Sequence, residues 1–237
     1  SDILDAAKMC LVDWCGVALG AQNEEAAAAV RKVAMNWGTN GNAQVLRGDK
    51  AAPSAAAMIN GTMAHCLDYD DTHVGSTTHV SGPTVASALA VGTHIGASEQ
   101  DILSAIITGF EVAARLGNGA GQPANLRGFH ATGIFGAFGA TAAASVLYRL
   151  DEARARNAFG AVATQTGGLS ASFGTMSKPF HAGKAALNGV LSAELAGEGF
   201  IAKEDLLEPD GGLSTSIYQD GGAALASLDF SEGWEIT

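Results

Sequence analysis

Alanine and glycine fill most apolar positions of this chain, and they recur at helical rather than alternating spacing. β-branched residues form no long runs and aromatics make up only 6% of the sequence, so a sandwich or barrel lacks its usual building material. Small side chains let helices approach closely, so the expected fold class is all-α, a multi-helix, bundle-like domain. With 237 residues, 47% of them hydrophobic and 16% charged, the chain can bury a large core, and disorder is excluded as a general state.

The periodicity predicts eight or nine helices. Ile3, Ala6, Ala7, Cys10, Leu11 and Trp14 open the first, and Gly20 ends it. Glu24 to Trp37 repeats the pattern. Val45 to Arg47 reads as a short extended link, and Pro53 fits the first turn of a helix running to Leu67. Pro83 opens a small-residue helix to Ile95. Ser98 with Asp101 forms a capping-box-like start for Ile102 to Leu116, and Gly117 to Gly121 reads as a glycine-rich break. Thr132 to Leu150, Glu152 to Thr166 (capped by Asp151) and Lys184 to Gly199 complete the set, leaving a mixed tail. No repeat or linker divides the chain, so residues 1–237 read as one domain. The small-residue stretches Ala86 to Ile95 and Ala137 to Leu147 carry little polar surface and are expected to be buried, in part against a partner.

A net charge of −11 disfavours nucleic acid as a partner and means that an anionic substrate needs a local cation drawn from only thirteen Lys and Arg residues. Cys10, Cys15 and Cys66 have no framework or CxxC spacing, which suggests buried thiols in a reducing compartment. The amphipathic start carries Asp2, Asp5 and Asp13 and is neither a signal peptide nor a membrane span. A cytoplasmic protein with no membrane association is expected.

Titratable residues gather in three places. His65 to His79 holds three carboxylates (Asp68, Asp70, Asp71) and three histidines within fifteen residues. Asp68 and Thr72 share a face if the helix continues through them. The segment reads equally as a site wall or as ordinary capping and loop solvation. Asp70, Asp71 and His73 could coordinate a divalent ion, but no second carboxylate cluster completes a shell, so no metal is expected. Second, Arg127 to Gly133 places His130 at a helix start, where the dipole favours the neutral imidazole of a general base, and where the N–H groups near Thr132 and Gly133 could hold a carboxylate. Local capping is the plainer alternative. Third, Met176 to Lys184 reads as a loop with Lys178, His181 and Lys184, either an anion-binding element or a solvated surface. His94, in an apolar helix, reads as structural. The chain has no P-loop, dinucleotide fingerprint or nucleophile elbow. Together the clusters suggest a cofactor-free acid/base site for a small anion.

Three blocks carry a resemblance to a known family: Asn60-Gly61-Thr62 through Leu67-Asp68-Tyr69-Asp70-Asp71-Thr72, then Gly128-Phe129-His130-Ala131-Thr132-Gly133, then Lys178-Pro179-Phe180-His181-Ala182-Gly183-Lys184. In identity, order and approximate separation they resemble the MmgE/PrpD family, as does the opening helix. That resemblance implies an all-α domain with a smaller α/β lid domain, a homodimer, and no cofactor. It implies a lyase or isomerase that abstracts a proton α to a carboxylate of a small polycarboxylate, as in dehydration, decarboxylation or epimerisation. By position, Asp68, Thr72, His79, His130 and Lys178 match the family's site. Asp68, His79, His130 and Lys178 are the expected catalytic residues, with Thr72, Thr132 and His181 as substrate-binding residues. The family's lid begins about where this sequence stops, at Trp234-Glu235-Ile236-Thr237, so the lid is expected from a missing segment or a second chain. A non-catalytic helical subunit that needs a partner is the rival expectation.

Overall fold

The structure is a computed structural model, and it describes residues 2–37, 40–207, 211–219 and 233–237. Among these residues are eight α-helices: α1 (Asp2–Gly20), α2 (Glu25–Met35), α3 (Pro53–His65), α4 (Ser81–Ile95), α5 (Glu99–Leu126), α6 (Ala131–Leu147), α7 (Glu152–Ala163) and α8 (Ser177–Gly197). A two-residue antiparallel pair, Ala43–Gln44 with Lys50–Ala51, a 3-10 turn at Ser170–Ser172 and a π turn at Ser214–Tyr218 complete them. The all-α class expected from the sequence holds. No helix of the described residues is long and apolar enough to cross a membrane.

Local chemistry sets the helix starts. Ser98 Oγ accepts from the Asp101 N–H at 3.1 Å, and Asp151 Oδ1 accepts from the Arg154 N–H at 2.9 Å. Both satisfy donors that a first helical turn leaves orphaned. Pro53 occupies the first turn of α3, where its missing N–H costs nothing.

Helix α6 is the centre of the domain, apolar and buried nearly all round, with α4, α5, α7 and α8 against it. Helix α3 is buried along its length and lies on α8 and α4. Gly183 makes the α3–α8 contact possible. A Cβ there would overlap Thr62 Oγ1 and stand 2.5 Å from the Met58 carbonyl oxygen. Trp14, fully buried, ties α1 to the start of α4 by donating Nε1–H to the Gly82 carbonyl at 3.1 Å.

Several boundaries differ from the sequence reading. Helix α5 continues ten residues beyond Leu116, through the glycine-rich stretch and past Pro123. The glycines there serve packing: a Cβ at Gly121 would overlap the Ser76 carbonyl, so their absence of side chain lets the 73–78 loop lie on the helix. Helix α3 ends at His65, so Asp68 and Thr72 share no helical face. Helix α8 begins at Ser177, which puts Lys178, His181 and Lys184 on a helix, not in a loop. The extended link is Ala43–Gln44, two residues ahead of its expected place. The thiols of Cys10, Cys15 and Cys66 are half-buried and unpaired, and burial pushes those of Cys10 and Cys66 up to about 11. Most of α4 and nearly all of α6 are covered by the chain's own helices, so neither is an open face. His94 is structural as read: its Nδ1 accepts from the Asn42 N–H at 3.2 Å and fastens the strand loop.

Candidate active site

The first cluster is shaped by a sharp exit from α3. His65 closes the helix, fully buried. Asp68 then takes φ 58°, a left-handed conformation that aspartate tolerates better than most residues. The turn sends the Asp68 carboxylate outward and folds Asp70 back beneath it. Both Asp70 oxygens face His65 Nδ1, at 2.9 and 3.0 Å, and no part of either side chain reaches solvent. Asp71 points away, accepting from the Ser81 N–H at 3.0 Å and from Ser81 Oγ–H at 2.6 Å, which fixes the start of α4. Burial pushes its carboxyl up to about 6, against the pull of those bonds.

His79 returns to this cluster after the 73–78 loop. Its backbone N–H donates to Thr132 Oγ1 at 3.1 Å, across to the first turn of α6. Its Nδ1 lies 3.2 Å from the Asp70 carbonyl oxygen and 3.4 Å from both Asp70 Oδ1 and Thr72 Oγ1. Its Nε2 faces Asp68 Oδ1 at 3.7 Å. Burial lowers the affinity of His79 for a proton, but the bonds to Asp70 outweigh it and the net shift is upward. Burial acts on Asp70 in the opposite sense to its hydrogen bonds from His65 and His79, and the bonds hold its carboxyl at about 2.

From α6 comes His130, the residue before the first helical turn, with its N–H on the Gly168 carbonyl at 2.9 Å. Its ring stacks on His65 with centroids 5.5 Å apart, and its Nδ1 lies 3.0 Å from His181 Nδ1. Burial, reinforced by the neighbouring His65, His181, Lys178 and His79, pushes His130 down to about 2, so it is a neutral imidazole. His181 shifts down as well, chiefly through burial and then through its neighbours His65 and Lys184. From the first turn of α8, Lys178 reaches across to hydrogen-bond Asp68 Oδ1 and passes over the Phe173 ring, 5.3 Å from its centroid.

Lys178, Asp68, His79, His65, His130 and His181 thus form one continuous set of contacts drawn from α3, its following loop, α6 and α8. Thr72 is exposed at its rim. Thr132 is fully buried, and its hydroxyl is engaged by the backbone of His79, so in this arrangement it braces that histidine. Asp70, Asp71 and His73 are not gathered into a metal set, because Asp71 serves Ser81 and His73 turns to Ser76 and Glu235. His65, Asp68, Asp70 and His79 do have donor atoms within 4.8 Å of one another. There Asp70 is already engaged by both histidines and Asp68 by Lys178. Three participants carried no place in this site from sequence: His65, Asp70 (read only as a possible metal ligand) and Phe173. For the first two a signal existed, a histidine ending an otherwise apolar helix with an acid five residues on.

Two carboxylates, one cation and a group of histidines with opposed proton affinities are groups that can exchange protons beside a positive charge. The model of the MmgE/PrpD N-terminal domain matches residues 1–225, and the chain belongs to the MmgE/PrpD family. It is 30% identical over 229 residues to a cis-aconitate decarboxylase of Aspergillus terreus, covering 93% of this chain and 47% of that protein. It is 32% identical over 165 residues to the human cis-aconitate decarboxylase, covering 68% of this chain and 34% of the relative. A cis-aconitate decarboxylase-like protein of Aspergillus oryzae is 29% identical over 234 residues, covering 94% and 48%. The chain spans about half the length of these relatives at most.

Proposed function

We propose that this chain carries the proton-transfer half of a cofactor-independent lyase acting on a small polycarboxylate, with decarboxylation of cis-aconitate or a close analogue as the preferred reaction. The observation that carries this is the pairing of a proton-retaining His79 and a neutral His130 across one site, with Lys178 at its mouth. The relatives' activity supports the choice of reaction.

In such a decarboxylation the C–C bond to the departing carboxylate breaks and CO2 leaves. The electron pair forms a new C=C bond, and the pair of the old double bond moves to the distal carbon, which takes a proton. Lys178 stabilises the negative charge that builds on the retained carboxylate. His79 delivers the proton from Nε2, the nitrogen turned to Asp68 and Lys178. His130, held neutral at the head of α6, is suited to hydrogen-bond the substrate as an uncharged imidazole, and its low proton affinity leaves proton transfer to His79. Substrate displaces Asp68 from Lys178 as one anion replaces another, and Thr72 and His181 contact the substrate's remaining oxygens. We further propose a homodimer, completed by a lid from a further segment or chain. An apolar strip that includes the exposed Val33 and Trp37 gives such contacts a surface.

The test is turnover of cis-aconitate by the complete enzyme with its lid, followed by CO2 release. Lys178→Ala is expected to lower kcat on the order of a hundredfold or more, because the lost donor acts on transition-state charge. A raised KM with unchanged kcat would reduce Lys178 to a ground-state clamp, and unaltered kinetics would remove it from the site. Sedimentation at high concentration tests the dimer, which a stable monomer would exclude.

A further inference from the structure

Beneath the groups that face the site lies a pair with no access to substrate, His65 and Asp70, whose side chains are both fully buried. We infer that this pair is a positioning device for His79: Asp70 holds the His79 ring with its Nδ1–H inward and its Nε2 toward the site, and His65 holds Asp70. The inference rests on the proton-transfer reading above and deepens it.

The hydrogen-bond inventory dictates the tautomer. Of the three oxygens that Nδ1 meets, the Asp70 carbonyl at 3.2 Å and carboxylate at 3.4 Å are acceptors only, while the Thr72 hydroxyl at 3.4 Å can turn its hydrogen away and accept as well. A ring nitrogen facing two pure acceptors must carry the proton, so the neutral ring leaves Nε2 bare, on the side of Asp68 and Lys178. The same reasoning applies to His65, whose Nδ1 faces both oxygens of a carboxylate and must donate. His65 spends that hydrogen bond wholly on Asp70, because its Nε2 has no hydrogen-bond partner among the described residues and is shut off from solvent. Leaving a buried nitrogen unpartnered costs free energy, so the His65 ring is retained at a cost that packing alone does not explain. An aromatic or aliphatic side chain would fill the space beside His130 and His79 without that cost, but would leave the buried carboxylate with no inner donor.

Asp70 therefore has two donors, one from a rigid helix end and one from the ring that it orients. Fixing the first prevents the carboxylate from turning away from the second. The charged and titratable groups around His79 are Asp68, Asp70, His65, Lys178 and His130, and of these only Asp70 meets its Nδ1.

The experiment uses the complete enzyme, labelled with 15N-histidine, and compares Asp70→Asn, His65→Leu and His65→Asn. The amide introduced by His65→Asn places an N–H near the former Nδ1 position, so it preserves the support that Leu removes. In the parent enzyme the His79 signals should report Nδ1 protonated throughout, with Nε2 bare in the neutral ring and carrying the proton it delivers in the acid form. In Asp70→Asn the Nε2–H form should appear, the limb of the kcat/KM profile due to His79 should move to lower pH, and kcat should fall on the order of a hundredfold while KM stays within about threefold. His65→Leu should follow Asp70→Asn, and His65→Asn should stay near the parent. An unchanged His79 tautomer in Asp70→Asn would overturn the inference, as would equal behaviour of the two His65 variants. If the parent turns over no polycarboxylate, the functional reading fails, and the 15N tautomers still decide the positioning role.

Discussion

His130 sits where three influences agree: burial, positively charged neighbours and the head of a helix all disfavour its protonation. A histidine of that kind has a thermodynamic signature independent of catalysis. In the unfolded chain it takes a proton near its ordinary value of 6.5, whereas in the folded chain it stays neutral down to about 2. Its contribution to stability is therefore fully present above 6.5 and is lost as pH falls through the range between those values. One proton bound only by the unfolded state gives a slope of up to about 1.4 kcal/mol per pH unit. Burial pushes the Asp71 carboxyl up to about 6, which works in the opposite direction, so the whole protein's profile is a sum of both. The difference between parent and His130→Asn isolates the histidine. Denaturant unfolding from about pH 7 to about pH 4.5, a span inside the window of that linkage, should show the parent losing stability more steeply than the variant. Parallel profiles would mean that His130 is protonated or solvated in the folded state. The neutrality of His130 was legible from its place ahead of an apolar helix. The stacking of His65 on it was not, because that contact joins residues far apart in sequence and needs the α3–α6 arrangement.

At the level of elements, small residues set both what was readable and what was not. Periodicity located all eight α-helices of the described residues, because Ala-rich stripes repeat at helical spacing wherever they pack. It failed at glycines, which serve as punctuation in one context and as close-contact surfaces in another. Gly117 and Gly121 look like a break until Ser76 is known to lie against them. Likewise, Met176 to Lys184 reads as a loop because of its Pro and paired lysines, yet Pro179 stands in the first turn of α8, where proline is well tolerated. The consequence for the site is that Lys178 and His181 project from a rigid helix, one turn apart on one face. Gly183 fixes how near that helix comes to α3. Gly183→Ala gains helix propensity of about 1 kcal/mol but forces a methyl into Thr62 and Met58, which costs about 1–3 kcal/mol or more where backbone must move. We expect net destabilisation and a loss of activity, since α8 carries Lys178. Gly197→Ala, in the same helix with only Leu150 Cδ2 at 3.7 Å from the new Cβ, should be neutral or stabilising by about 0.5 kcal/mol. Melting temperatures of the two variants give the comparison directly, and equal shifts would remove the close approach as the cause.

Over the whole molecule, one ion pair joins the middle of the described chain to its C-terminal end. Glu111 and Arg115, one turn apart on α5, are almost completely buried, and Arg115 Nε and Nη2 each donate to Glu111 Oε2 at 3.0 Å. Each also reaches the C-terminal segment. Glu111 Oε1 accepts from the Ile236 N–H at 3.1 Å, and Arg115 Nη2 donates to the Gly233 carbonyl at 2.7 Å. The same segment places Glu235 Oε2 3.2 Å from His73 Nε2, in the loop that leads to His79. Residues 233–237 are thus pinned to α5 and to the rim of the site at once. No sequence pattern announces this, since Glu111 and Arg115 read as an ordinary i, i+4 surface pair and their partners lie far along the chain. Their burial changes the expected energetics. A surface pair of this spacing contributes a few tenths of a kcal/mol, whereas removing one member of a buried pair strands the other charge and costs about 3–5 kcal/mol. Glu111→Ala should therefore lower stability to urea by an amount of that order and release the C-terminal segment, seen as greater solvent exposure of Trp234 fluorescence. Glu111→Ala combined with Arg115→Met should recover most of the loss, because the stranded charge is gone. If the single variant loses less than about 0.5 kcal/mol, the pair behaves as a solvated one and the segment is held by something else.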